Sequence, residues 1–127
     1  MDSQRPKRIL VVDDEQEALV HLKSILERVY YEVTTATNGK DALESIKSIR
    51  PDLIILDIMM PGLDGGDVAS ILSEDPATQN IPIIFLTGML TKEEEEGKKS
   101  GKHRVIAKPV ASKDLLSIIA EALSQSK

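Results

Sequence analysis

The sequence predicts an α/β fold, a doubly wound parallel sheet in a single domain with helices on both faces. Two observations carry that prediction. Four strand-length apolar runs, Arg8-Ile9-Leu10-Val11-Val12, Leu53-Ile54-Ile55-Leu56, Ile83-Ile84-Phe85-Leu86 and Val105-Ile106-Ala107, are separated by stretches with helical periodicity. The runs lack two-residue alternation, as strands do when both sheet faces are covered. In addition, each run stops at a reactive side chain: Asp13 and Asp14, Asp57, Thr87 and Lys108. In an open parallel sheet the C-terminal strand ends share one edge, and ligands bind there, where the strand order reverses.

The elements follow in order. After the first run, Leu19, Leu22, Leu26 and Val29 recur at three- and four-residue spacing with charges between them, an amphipathic helix over about Gln16 to Arg28. Glu32-Val33-Thr34-Thr35-Ala36 is a β-branched strand, and Asn38-Gly39 is a turn signal. Ala42, Leu43, Ile46 and Ile49 give a second helix face, which Pro51 stops. Met60-Pro61-Gly62-Leu63-Asp64-Gly65-Gly66 is a loop rich in helix breakers, and Val68, Ile71 and Leu72 make a short third helix ending near Asp75-Pro76. Thr91-Lys92-Glu93-Glu94 reads as a capping box that opens a fourth helix. Its acidic run suits a helix N-terminus and a solvated face better than a cation site. The last helix, about residues 113–124, buries Leu115, Ile118, Ile119, Ala122 and Leu123. The total is five strands and five helices in strict alternation, and right-handed crossovers then give helices on both sheet faces.

Composition narrows the function classes. A chain of 127 residues, 41% hydrophobic and 29% charged, reads as one ordinary globular domain with a real core. There is no Cys, so disulfides and thiolate metal sites are excluded. No apolar run reaches the ~18 residues of a membrane span, and the short basic start is not a signal peptide. A cytoplasmic location is expected. With Lys+Arg 16 against Asp+Glu 21, the net charge is −5, and the aromatics are Tyr30, Tyr31 and Phe85. Neither a basic face nor a stacking platform for nucleic acid is present, so direct nucleic-acid binding is not expected.

The reactive residues have ordinary readings when taken singly. Asp14 before the first helix suits an N-cap, Thr87 suits a strand, and Lys108 suits a surface strand end. Asp57 alters the balance, because four branched apolar residues before it put it at the rim of a buried strand. Three clustered carboxylates repel one another and raise each other's pKa, a conflict that a divalent cation removes. Oxygen-only ligands point to Mg²⁺ or Mn²⁺ over Zn²⁺. Carboxylates, cation, ammonium and hydroxyl together describe a site that accepts a phosphoryl group.

Four segments, Val11-Val12-Asp13-Asp14, Asp57-Ile58-Met59-Met60-Pro61-Gly62-Leu63-Asp64-Gly65, Leu86-Thr87-Gly88 and Lys108-Pro109, carry a resemblance. In this order and spacing they resemble the receiver domain of the two-component response regulators, over about residues 7–123. The resemblance implies a flavodoxin-like strand order 2-1-3-4-5. It implies that Asp57 is the phosphoacceptor and that Asp14 binds Mg²⁺ directly. Asp13 would act largely through water, and the backbone carbonyl of Met59 would be a further ligand. Thr87 would bond the phosphoryl oxygen in the active state, and Lys108 would pair with the phosphoryl group. It implies a histidine kinase or His-containing phosphotransfer protein as donor and a downstream protein as target. The chain is expected to be a monomer or weak dimer. It is expected to catalyse only its own phosphorylation and dephosphorylation, and no effector domain is expected in residues 1–127.

Departures accompany the match. Family members often have an aromatic residue where this chain has Val105, so the chain departs from the coupled threonine–aromatic switch. Gly66 stands where a bulkier residue is common, and the last helix has no Arg from Leu115 onward, so it lacks the charged-pair dimer face of regulators with winged-helix outputs. Two other readings stay open. A Mg²⁺-dependent aspartyl-phosphate hydrolase would have its two acids separated by one residue and would carry a cap domain. A binding scaffold of the same fold would normally lack one of the acids, Asp57 or Lys108.

Overall fold

The computed structural model describes residues 5–88, 99–100, 103–108 and 111–125. The elements are β1 (Arg8–Val12), α1 (Gln16–Arg28), β2 (Glu32–Ala36), α2 (Gly39–Ile49), β3 (Leu53–Asp57), α3 (Gly65–Ser73), β4 (Ile83–Thr87), β5 (Lys99–Ser100), β6 (His103–Ala107) and α4 (Ser112–Gln125). The sheet order is β2-β1-β3-β4-β6-β5. Its five long strands run parallel, in the order expected from the sequence, and β5 alone pairs antiparallel, with β6. The strand order reverses beside β1, so the ends of β1 and β3 flank the crevice where a ligand binds.

Alternate residues of each strand feed opposite sides of the sheet. Leu10, Val12, Ile54, Leu56, Ile83, Phe85 and Val105 pack with Ala42 and Ile46 of α2 and Val68, Ala69 and Leu72 of α3. Ile9, Val11, Leu53, Ile55, Ile84 and Leu86 pack with Leu19, Leu22 and Leu26 of α1 and Leu115, Ile119 and Ala122 of α4. Both faces are covered, which is why β1, β3 and β4 are continuous apolar runs.

Four of the five expected helices lie among the described residues; the helix expected from residue 91 lies outside them, as does Pro109. The structure corrects several other expectations. The strand β5 was not expected: two polar residues before Gly101 carry no periodicity to read. Asn38 is not in a turn but caps α2, its side chain accepting a hydrogen bond from Asp41 N–H, with Gly39 as the first helical residue. Val29 sits at the C-cap of α1, and it and Ile71 of α3 are exposed rather than core. Among the described residues no helix is long and apolar enough to cross a membrane.

Candidate functional site

Asp57 is the last residue of β3 and only 6% exposed, because Leu53, Ile54, Ile55 and Leu56 commit the strand to the core up to that point. Ile58 N–H still donates to the Leu86 carbonyl, at 3.2 Å, so the chain leaves the sheet one residue after the carboxylate. Met59 N–H donates to Asp57 Oδ1 at 3.2 Å, a short turn that fixes the side chain from the loop side. The loop then closes on itself, Gly65 N–H donating to the Ile58 carbonyl at 3.0 Å, and α3 starts at a capping box between Asp64 and Asp67.

Asp13 follows β1 and is 1% exposed. Its N–H donates to the Ala36 carbonyl at 3.1 Å, which extends the β1–β2 ladder past the strand end. Its Oδ1 accepts from Glu15 N–H at 3.0 Å. Asp13, not Asp14, therefore supplies the local backbone contact, and the N-cap of α1 is Glu15, with no side-chain cap bond. Asp14 is exposed and leaves its carboxylate to the crevice. One oxygen from each of Asp13, Asp14 and Asp57 lies within 4.8 Å of the other two.

Lys108 follows β6. Its backbone N–H donates to the Thr87 carbonyl at 2.7 Å, tying it to the end of β4. Its ammonium reaches back across the edge and donates to Asp13 Oδ2 at 2.8 Å and Asp57 Oδ2 at 3.3 Å. Glu15 Oε1 stands 3.9 Å from the same nitrogen. The sequence reading missed Glu15; the only signal for it was its position directly after the acid pair. Thr87, 2% exposed, ends β4 on the same edge and, by strand alternation, faces the side of the sheet that holds Phe85 and Val105. Met59 contributes its amide to Asp57, while its side chain is 64% exposed.

The charges set the protonation behaviour. Burial pushes the Asp57 carboxyl above its ordinary value, the neighbouring Asp13 charge adds to that, and Lys108 and the Met59 N–H offset only part of it. For Lys108, burial alone favours the neutral amine. The hydrogen bond to Asp13 and the charges of Asp13 and Asp57 outweigh it, so its pKa is raised. Three carboxylates with one half-buried ammonium form an acidic pocket of hard oxygen donors, with no histidine in it among the described residues. That donor set fits a divalent cation such as Mg²⁺.

The model for the response regulator receiver domain matches residues 9–120. Response regulator PleD of Caulobacter vibrioides is 40% identical over 104 residues, 81% of this chain and 23% of PleD, so the chain spans less than a quarter of that relative's length. Protein PilH of Pseudomonas aeruginosa is 36% identical over 121 residues, 92% of this chain and 98% of PilH. The structure of the receiver domain of the Francisella response regulator 1452 superposes with a TM-score of 0.84 at 31% identity, covering 95% of this chain and 99% of that one. A match of this extent, over a sheet whose ligand edge gathers Asp13, Asp14, Asp57 and Lys108, means that the chain belongs to the response regulator receiver domain family, the phosphoryl-accepting domains of two-component signalling.

Proposed function

We propose that Asp57 is the residue that takes the phosphoryl group, and that Asp13, Asp14, Thr87 and Lys108 serve that transfer. The observation that carries this reading is the Lys108 ammonium held between Asp13 and Asp57 at the rim of a buried strand. An Asp57 oxygen attacks the phosphorus of a phosphorylated donor, the bond from phosphorus to the donor atom breaks, and that atom leaves with the electron pair. The donor is the phosphohistidine of a histidine kinase or of a His-containing phosphotransfer protein. Asp13, Asp14 and Asp57, with the backbone carbonyl of Met59, would hold Mg²⁺ or Mn²⁺, which when bound draws charge from the phosphoryl oxygens. Lys108 exchanges one carboxylate contact for a phosphoryl oxygen, because its Asp57 partner oxygen is the more distant of the two. Thr87 supplies a hydroxyl to the phosphoryl group from the end of β4, and water later hydrolyses the acyl phosphate. The chain thus acts only on itself, and its output is a changed surface around β4 and β6 read by a protein target.

Acetyl phosphate or phosphoramidate with Mg²⁺ is expected to add one phosphoryl group to the wild type and none to Asp57→Asn, by intact mass spectrometry. Equal labelling of the two proteins overturns the assignment. Stable labelling separates a receiver from a hydrolase, whose intermediate is transient, and from a scaffold, which takes no label.

A further inference from the structure

Residues 58–64 carry the Met59 amide that holds Asp57 Oδ1, and two glycines meet this loop where no side chain fits. At Gly65, an added Cβ would stand 2.5 Å from the Asp57 carbonyl oxygen and 2.9 Å from Ile58 Cα. Both atoms are backbone, one of them in Asp57 itself. At Gly39, the first residue of α2, a Cβ would stand 2.7 Å from both Leu63 Cβ and the Leu63 carbonyl oxygen, and 2.9 Å from Val68 Cγ2. Non-bonded carbons prefer about 3.5–4.0 Å, so in either case the loop or its support must move. Gly66, next in the chain, is different: its nearest neighbour is Asp64 Oδ1 at 3.4 Å, and it is exposed.

We propose that Gly39 and Gly65 are positioning residues for phosphoryl acceptance. By offering no Cβ, they let the start of α2 and the start of α3 press residues 58–64 against the end of β3. That pressure holds the Met59 amide on Asp57 Oδ1 and so fixes the rotamer of the carboxylate. Neither glycine touches a reacting atom, and Gly39 acts from a different helix through Leu63. The inference rests on the assignment of Asp57 as the acceptor. Misplacement of a reacting group by about 1 Å costs on the order of a hundredfold in rate, so a side chain at either glycine should slow the transfer more than it disturbs the fold.

The test compares wild type with Gly66→Ala, Gly39→Ala and Gly65→Ala. Labelling by phosphoramidate is followed at saturating Mg²⁺, and the Met59 amide is followed by ¹H–¹⁵N NMR. Gly66→Ala is expected to label at the wild-type rate. The other two are expected to label about tenfold to a hundredfold more slowly, with the Met59 amide displaced and the amides of β1 unmoved. If one of them does not fold, the other decides. A wild-type rate in the folded variants overturns the inference, as does a slow rate with an unmoved Met59 amide. Failure of both to fold beside a folded Gly66→Ala also overturns it, since the glycines would then serve the fold and not the site. Absence of label on the wild type refutes the Asp57 assignment and this inference with it.

Discussion

Asp57 is pulled in two directions: burial and Asp13 favour the neutral acid, while Lys108 and the Met59 amide favour the carboxylate. The first pair wins, so the folded state keeps the Asp57 proton to a higher pH than the unfolded chain does. Between the ordinary aspartate value and the raised one, the folded state binds more protons, and stability falls as pH rises. Without divalent cation, Asp57→Asn is therefore expected to melt above wild type at neutral pH. The gap should close as pH falls through the raised Asp57 value, which melting curves in EDTA across acid to neutral pH would reveal; a gap that widens on acidification contradicts the account. Lys108 has the same slope with pH but stabilises at neutral pH, where Asp57 destabilises. Its stabilisation is full below the ordinary lysine value and is lost as pH rises through the raised one. Lys108→Ala strands two buried carboxylates and should cost about 2 kcal/mol in EDTA, with Mg²⁺ raising its Tm by more than it raises that of wild type. Asp14 is exposed and makes no cap bond, so Asp14→Ala should keep its stability in EDTA and lose the Mg²⁺ response; an undiminished response refutes its role as a ligand. These acids and Lys108 were legible in the sequence because each ends an apolar run. Glu15 and the Met59 amide were not, because both depend on how the backbone turns after a strand, and a list of side chains does not carry that.

At the scale of elements, packing and local chemistry agree in most places, and the exceptions are informative. The helix over Gln16–Arg28 and the Ala42–Ile49 part of α2 were readable from periodicity, since one face of each meets the core, and the strand over Glu32–Ala36 from its β-branched residues. Ile71 was misread because a nine-residue helix gives too few turns to separate its faces, and Val68, Ala69 and Leu72 fill the buried side. Strand β5 was invisible because two polar residues carry no period, and its strand is defined by backbone pairing with β6. Tyr30 is the clearest local conflict. It follows the C-cap of α1 at φ 70°, in the left-handed region, with its side chain 85% exposed. Its N–H donates to the Glu27 carbonyl at 3.0 Å and that of Tyr31 to the Leu26 carbonyl at 3.2 Å, so the turn ends the helix by satisfying its last carbonyls. Glycine suits such a position, and a left-handed L-residue costs roughly 1–2 kcal/mol. Tyr30→Gly should therefore raise stability by about 1 kcal/mol in urea unfolding, and a loss of stability would mean that the ring makes contacts of its own. The capping box at Asp64 works in the other direction: Asp64→Ala should lower stability by about 1 kcal/mol.

The molecule as a whole is two cores separated by one sheet, and the candidate site touches both. Thr87 and Val105 lie on the face shared with α2 and α3, while β3 and β1 deliver Asp57 and Asp13 to the edge between the layers. Val105 is buried beside Phe85, its partner in the β4–β6 register. The family resemblance implies a switch in which an aromatic ring at that position rotates inward to fill the space vacated by the threonine. Val105 has no ring to rotate, is stiff at χ1 and already packs in the core. On the proposal that Asp57 takes the phosphoryl group, the signal is expected to leave through Thr87 itself and the residues after it, 87–99, whose sequence contains Gly88, Gly97 and the acidic run 93–96. A phosphoryl group biases that segment only by contacts that differ between the two states, here one hydroxyl bond from Thr87 and one ion pair from Lys108. Thr87→Ala should accept phosphate yet lose most of the response, whereas Val105→Ala should cost about 2 kcal/mol of stability and leave the response largely intact. Chemical-shift mapping with beryllofluoride and Mg²⁺, which mimic the phosphoryl group, reads both effects in one experiment. Shifts concentrated in residues 87–99 and abolished by Thr87→Ala are expected. Shifts that peak at Val105 and along α4, and that survive Thr87→Ala, would mean that the signal crosses the sheet through β6 without the threonine.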